Sequence, residues 1–450
     1  MKNYQSWGRF PKIDNDKQDV YHVYPDSFSF PDFESDAENP PSFLAYAQGR
    51  SYGDVCQNQD GILLDTQHLD HFIQYDRENG ILRCEAGVTF ENILQLIVPH
   101  GWFLPVTPGT KYISVGGAIA NDVHGKNHHK AGTFGKYVLQ FELLRSNGER
   151  LICSPDENTD YFNATIGGLG LTGLINWVEF SLKKIPGHKI EQETIRFNNL
   201  KEFYTLSDES DKDWEYTVAW IDCLASGDEL GRGLFMRGNH CAATSKSRKK
   251  YKSKTSRLSV PFDAPGFLLN KYTVTAFNQL YFKRPVKQIQ QVDFDPFFYP
   301  LDSISNWNRL YGRKGFMQYQ CVIPKEHREA AMQEMLTVIA ESGQASFLSV
   351  LKEFGDIKSP GLLSFPRAGI TLALDFPNRG KKTLTLLESL DVITLKYSGA
   401  VYPAKDARMS PATFEKYYPN WKEFEAFIDP HFSSGFKQRV KPSPDNSPNT

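Results

Sequence analysis

Cysteine, net charge and long apolar runs are all scarce in this 450-residue chain. Its six cysteines, Cys56, Cys84, Cys153, Cys223, Cys241 and Cys321, are scattered and form no C-x-x-C pair. No disulfides are expected, and the pattern fits reduced thiols in the cytoplasm. A formal charge of −2 leaves no general footprint for nucleic acid. No stretch supplies the roughly 18 uncharged apolar residues of a spanning helix, and "MKNYQSWGRFPKIDNDKQDV" lacks the apolar centre of a secretory signal. Internal repeats are absent as well. At this length, two or three domains with real cores are expected.

Glycine is what the chain has, and it is concentrated. "GGAIANDVHGKNHHKAGTFG", residues 116 to 135, holds five glycines and three histidines with no long apolar run. Glycine lets backbone amides approach a ligand, and successive amides form concavities that hold phosphate oxygens. A phosphate-bearing cofactor is the first reading. A metal site on His124 and His128 would need a helix through Gly125 and Asn127, so no metal is expected. A second cluster, Gly168, Gly170 and Gly173, matches G-x-G-x-x-G with Glu193 about twenty residues on. No strand precedes it, and "LINWVEFSLKKI" alternates like a strand where a dinucleotide fold demands a helix, so that fold is not expected.

Along the chain, the first forty residues read as a polar, proline-broken arm. "SFLAYAQGRSYGD" is an apolar run into a glycine turn, and Thr89 caps a helix that stops before Gly101. "YVLQFELLRSNGERLICSP" is a hairpin about Asn147-Gly148. Past Pro186 come four strand-like runs, "YTVAWIDC", "FMQYQCVIP", "ASFLSVLKEFG" and "GITLALDFP", with a helix before Gly343. The pattern predicts an α+β protein with antiparallel strands backed by helices. Residues 245 to 257, "SKSRKKYKSKTSR", form a basic run, a solvated loop or an anionic-lipid contact. "KPSPDNSPNT" is expected to be disordered.

Taken together, "GRSYGD", "PVTPGTKYISVGGAIANDVHGKNHHKAGTFG" and "ATIGGLGLTGLI" resemble the vanillyl-alcohol-oxidase-type flavoproteins. "HGKNHH", "AWID", "NKYT", "WNRLYG", "QYQCVIP", "LSFP" and "AKDAR" narrow the resemblance to the decaprenylphosphoryl-ribose oxidase family, from about Gly8 to residue 430. The resemblance implies two lobes: a PCMH-type FAD-binding domain at 1–186, a substrate domain at 187–398, and a segment at 399–450 returning to the FAD domain. It implies FAD contacts from Gly49, Arg50, Ser51, Tyr52, Gly53 and Asp54, then Gly109, Ser114, Gly116 and Gly117, then Asn121, Asp122, His124, Ile175 and Tyr402. Arg50 stands where relatives with covalent flavin carry histidine, so dissociable FAD is expected.

The implied activity is oxidation of the 2-hydroxyl of a polyprenyl-phosphate-linked pentose, with hydride passing to flavin N5 and an NAD(P)H-dependent keto-reductase as partner. A cytoplasmic protein with peripheral contact at the inner membrane is expected. Lys405 would hold substrate hydroxyl and flavin, with Gln320 as the other catalytic residue. Gln318 and Gln320, two apart on one strand, can aim both amides into one pocket. Lys126, Lys352 and Tyr299 would meet a phosphate, and Trp220 and Phe354 would cover sugar and lipid. Ala373 and Thr371 replace the family's cysteine and asparagine, so capture by thiol-directed inhibitors is not expected. A soluble polyol or aldonolactone oxidase and a flavin-free binding protein are the competing readings.

Overall fold

The computed structural model describes residues 3–25, 28–30, 41–242, 258–287 and 289–441; the basic run 245–257, residues 31–40 of the expected arm, and the tail from 442 lie outside them. Two sheets dominate. A five-stranded antiparallel sheet runs in the order Phe72–Asp76, Ile81–Glu85, Leu174–Ser181, Val138–Leu144, Arg150–Cys153. An eight-stranded antiparallel sheet begins with Gln290–Asp293, Lys189–Phe197, Gly233–Cys241 and Tyr216–Ile221. It continues through Ser349–Phe354, Gly369–Pro377, Phe316–Ile323 and Ala400–Val401.

In the first lobe, the Thr89 hydroxyl caps helix Phe90–Ile97 by accepting from the Asn92 amide at 3.2 Å. The helix buries Phe90, Ile93, Leu94 and Ile97, one stripe at helical spacing, in a core shared with Phe134 and Phe180. In the second lobe, alternation on Phe316–Ile323 sends Met317, Tyr319 and Cys321 into a core with Met335 of helix Arg328–Ser342 and Leu390 of helix Lys381–Lys396. Each such buried side chain contributes about 1.5–3 kcal/mol. The same period of two leaves Gln318 and Gln320 on the opposite face.

Two sequence expectations are corrected. The polar arm contains a strand: Asp19–His22 pairs in parallel with Ile62–Asp65, and the Tyr4 hydroxyl donates to Asp65 at 3.1 Å. Four mostly exposed residues carry too little apolar pattern to announce a strand, and the partner edge supplies the pairing. The glycine-rich segment is not all loop. Val115–Ala120 is a short helix, because Ser114 caps it and Val115, Ala118 and Ile119 are buried, which outweighs the low helix propensity of two glycines. His128–Ala131 forms a further turn.

Candidate active site

Between the two lobes lies a cavity of about 580 Å³. One wall is mostly backbone. Gly49 has φ 57°, and a Cβ there would overlap the Tyr46 hydroxyl, so glycine is required. Arg50, Ser51 and Tyr52 continue the wall, with the Arg50 guanidinium 4.2 Å from the Trp7 ring centre. Gly109, Ser114, Gly116, Gly117, Asn121 and Ile175 form the facing wall. A Cβ at Gly117 would meet only the Ser114 hydroxyl at 3.1 Å, and one at Gly109 would meet nothing, so both present bare main chain to the cavity.

These walls fit FAD. Arg50 Nε and Asn121 Oδ1 are buried without a hydrogen-bond partner among the described residues, and burying such groups unsatisfied costs about 1–3 kcal/mol each. A dinucleotide diphosphate and its ribityl hydroxyls would supply such acceptors and donors, with main-chain amides at a helix start beside them.

Three residues of the implied cofactor set do not line the cavity. A Cβ at Gly53 would overlap the Asp406 carbonyl oxygen. Asp54 is clasped by Arg439 through Nε and Nη2, both at 2.8 Å. Asp122, at φ 39°, accepts from the Gly135 amide at 2.9 Å and from the Ser359 and Ser364 hydroxyls. All three hold the wall from behind. Tyr402 does reach the cavity and ties its parts together: its amide donates to the Gln320 carbonyl at 2.9 Å and its hydroxyl to the Asn121 carbonyl at 2.7 Å.

The far end of the cavity is cationic. Lys126, Lys352 and Lys405 all line it. The Lys405 ammonium sits 3.6 Å from the Tyr52 ring centre, on the turn Pro403–Lys405. Asp406 is instead paired with Arg439 at 2.9 Å. Burial, then the charges of Lys126 and Lys405, hold Lys352 down to about 7. Burial brings Lys126 to about 8, with its ammonium donating to the Phe298 carbonyl at 3.0 Å. Burial also pushes Lys405 down, against the charge of Asp375, while burial raises Asp375.

Gln318 and Gln320 both face the cavity. In register, Gln318 is opposite Asp375 and Gln320 opposite Ala373. The Gln318 amide donates to Asp375 Oδ1 at 2.6 Å, and the Tyr311 hydroxyl lies beside the same carboxylate. Gln320 lies 2.9 Å from His124 Nε2 and 3.4 Å from Thr371 Oγ1; Lys352 lies 3.4 Å from His124 Nδ1. Burial and the neighbouring Lys352 keep His124 neutral, well below the usual range. An ammonium only donates, so Nδ1 accepts and the Nε2 proton points at Gln320, whose carbonyl oxygen takes it once the amide is turned. His124 is thereby a bridge between the glutamine and lysine sets.

Trp220 lines the cavity, its indole N–H donating to the Phe347 carbonyl at 3.0 Å. Tyr299 and Phe354 lie one layer back. The Tyr299 hydroxyl is 2.7 Å from Thr107 Oγ1, and the Phe354 ring packs 4.8 Å from His124 and 4.4 Å from His128. Ala373 and Thr371 both face the cavity, so the wall carries a methyl and a hydroxyl. Asp375 is the residue sequence reasoning missed. The period of two that aligns Thr371 with Ala373 extends to it, and that alternation was the available signal.

A family described as an FAD binding domain matches residues 37–154. The decaprenylphosphoryl-β-D-ribose oxidase of Mycolicibacterium smegmatis is 34% identical over 424 residues, spanning 88% of this chain and 89% of that protein. An uncharacterised protein of Streptomyces coelicolor is 29% identical, over 78% of this chain and 100% of its own length. The human Δ(24)-sterol reductase is 31% identical over 122 residues, only 27% of this chain and 23% of the reductase. The oxidase match spans most of both chains, whereas the reductase match is confined to a fraction of each. With FAD as its cofactor, the chain is an oxidoreductase belonging to the decaprenylphosphoryl-β-D-ribose oxidase family.

Proposed function

We propose that this enzyme oxidises the 2-hydroxyl of a pentose carried on a polyprenyl phosphate, giving the 2-keto sugar that an NAD(P)H-dependent keto-reductase returns as the epimer. The observation that carries this reading is the convergence of Lys126, Lys352 and Lys405 with the Gln318 and Gln320 amides on one cavity. Three lysines buried together are costly to charge without an anion, and two amides that both donate and accept suit vicinal hydroxyls.

FAD, when bound, supplies the acceptor for the hydride leaving the carbinol carbon. The chain's own residues do the rest. Lys126 and Lys352 hold the phosphate, and Gln318 and Gln320 orient the sugar. Lys405, lowered by burial, takes the hydroxyl proton on Nζ as the free amine, and Asp375 sets how readily it does so. Trp220 shields the sugar from water. Gly49 to Tyr52, Gly109, Ser114 to Gly117 and Asn121 hold the cofactor, with no histidine at position 50 to bind it covalently.

The test is anaerobic bleaching of the bound flavin by candidate substrates. Polyprenylphosphoryl ribose should bleach it at micromolar levels, with free ribitol and aldonolactones at least about a hundredfold weaker, the worth of one to two charge-assisted contacts. Equal bleaching by phosphate-free polyols would overturn the reading in favour of a polyol oxidase, since the lysines would then have no ligand.

A further inference from the structure

Helix Lys271–Lys283 carries large apolar side chains on both its faces. Its inward face buries Val274, Asn278 and Phe282, and the Asn278 amide donates to Asp222 at 2.8 Å in the core. Its outward face carries Tyr272, 83% exposed, Phe277, 43%, and Leu280, 76%. An ordinary surface helix keeps its outward face polar. The turn before it adds Phe267, 72% exposed, and Leu268, 46%, tied to the helix start because Thr273 donates to the Leu268 carbonyl and Asn270 to the Phe267 carbonyl. Eight of the fourteen large apolar residues exposed among the described residues fall between Leu258 and Ile289. Scattered surface apolars need no explanation, but such a concentration marks a contact face.

Charge and position say what covers it. Between residues 258 and 289 the basic side chains are Lys271, Lys283, Arg284 and Lys287; the acid is Asp263, paired with Arg9. The sequence just before, 245 to 257, holds the densest lysine and arginine run in the chain. The C-terminal end of the helix also reaches the active-site cavity: Tyr281 and Arg284 line it, and the Tyr281 ring packs 4.7 Å from Trp220. An apolar strip flanked by cations, opening onto a cavity for a lipid-linked anion, has the chemistry of a helix lying in a headgroup layer.

We infer that the outward face of helix Lys271–Lys283, with the Phe267–Leu268 turn, docks the enzyme on an anionic bilayer surface and presents the cavity mouth to substrate whose lipid stays in the membrane. The choice of occupant rests on the polyprenyl-phosphate reading above; the exposed strip and its charge do not.

The test uses the holoenzyme and a Phe267→Ser, Tyr272→Ser, Leu280→Ser triple variant, none of whose positions lines the cavity. Both are sedimented with phosphatidylglycerol–phosphatidylcholine vesicles and with pure phosphatidylcholine vesicles. The wild type should partition to the anionic vesicles, more weakly at high salt, and the triple variant at least roughly tenfold less, since binding scales with buried apolar area. The variant should oxidise a water-soluble short-prenyl phosphoryl ribose at the wild-type rate and lose rate only on long-chain substrate embedded in vesicles. Equal partitioning of both proteins, or none by the wild type, overturns the docking face. So does a wild-type dimer that the variant abolishes, because a second copy would then cover the strip. If vesicle binding behaves as stated but no phosphoryl ribose is oxidised, the substrate reading falls and the docking face stands.

Discussion

Lys352→Met should make the protein more stable and a poorer enzyme. The wild-type ammonium is held at about 7 against an ordinary 10.5. At about 1.4 kcal/mol per unit, full burial of that charge would cost on the order of 4–5 kcal/mol near neutral pH. The nitrogen borders the cavity rather than a sealed core, so about 2 kcal/mol is the working figure. Methionine keeps the length and volume and removes the charge. The sign follows from the lowered value: between pH 7 and 10.5 the unfolded chain holds a proton that the folded one has released. Wild-type stability therefore rises with pH across that window, and the variant lacks this rise. The price is a lost contact to the substrate phosphate, about 1.5–3 kcal/mol, or roughly ten- to a hundredfold in KM with kcat less affected. Urea unfolding near neutrality and at about pH 9.5, with steady-state kinetics, checks both halves. An unchanged KM, or a variant less stable than wild type at neutral pH, would refute the assignment.

Lys405→Met should slow flavin reduction by about 10²–10⁴-fold while the flavin spectrum is retained, read by stopped flow; an unaltered rate removes the lysine from the chemistry. Asp375→Asn deletes the charge that opposes the lowering of Lys405, so the acidic limb of the kcat/KM profile should move to lower pH; a shift upward contradicts the pairing. Gly117→Val should yield protein with little bound FAD, because the branched side chain would occupy the bare wall, and full flavin content would disprove the placement. Cys56, which borders the cavity, is held at about 12 by burial, so iodoacetamide should spare wild-type activity, whereas Ala373→Cys should be inactivated; inhibition of the wild type would show a reactive thiol that this geometry does not contain.

Local signals carried much of the architecture into the sequence. The Asn147-Gly148 turn, the Thr89 cap and the Gly343 stop are each legible because turn and cap chemistry depends on a few neighbours. Alternation placed Gln318 and Gln320 on one face, since a strand's period needs no tertiary knowledge. What stayed hidden is non-local. The strand at Asp19–His22 exists through an edge more than forty residues away. Gly53 and Asp54 belong to a cofactor motif by position, yet what they touch, Asp406 and Arg439, lies 353 and 385 residues later. Nothing near them in sequence records that contact. Asp375 was within reach of the same alternation that marked Ala373, but a lone acid in an apolar strand is ambiguous until its partners Gln318 and Lys405 are seen across the sheet.

The Arg439 clasp sets an order of events at the ribosome. Its guanidinium joins Asp54, beside the first cofactor wall, to Asp406, beside the catalytic lysine, and Tyr402 bolts that same turn to Asn121 on the second wall. The Tyr402 and Arg439 fastenings lie 281 and 385 residues beyond the wall positions they hold, while Asp122 is fastened earlier, by Ser359 and Ser364. A nascent chain halted before residue 400 would carry the walls without the Tyr402 and Arg439 fastenings, so pulse-labelled, stalled chains should hold less flavin than chains extended past Arg439.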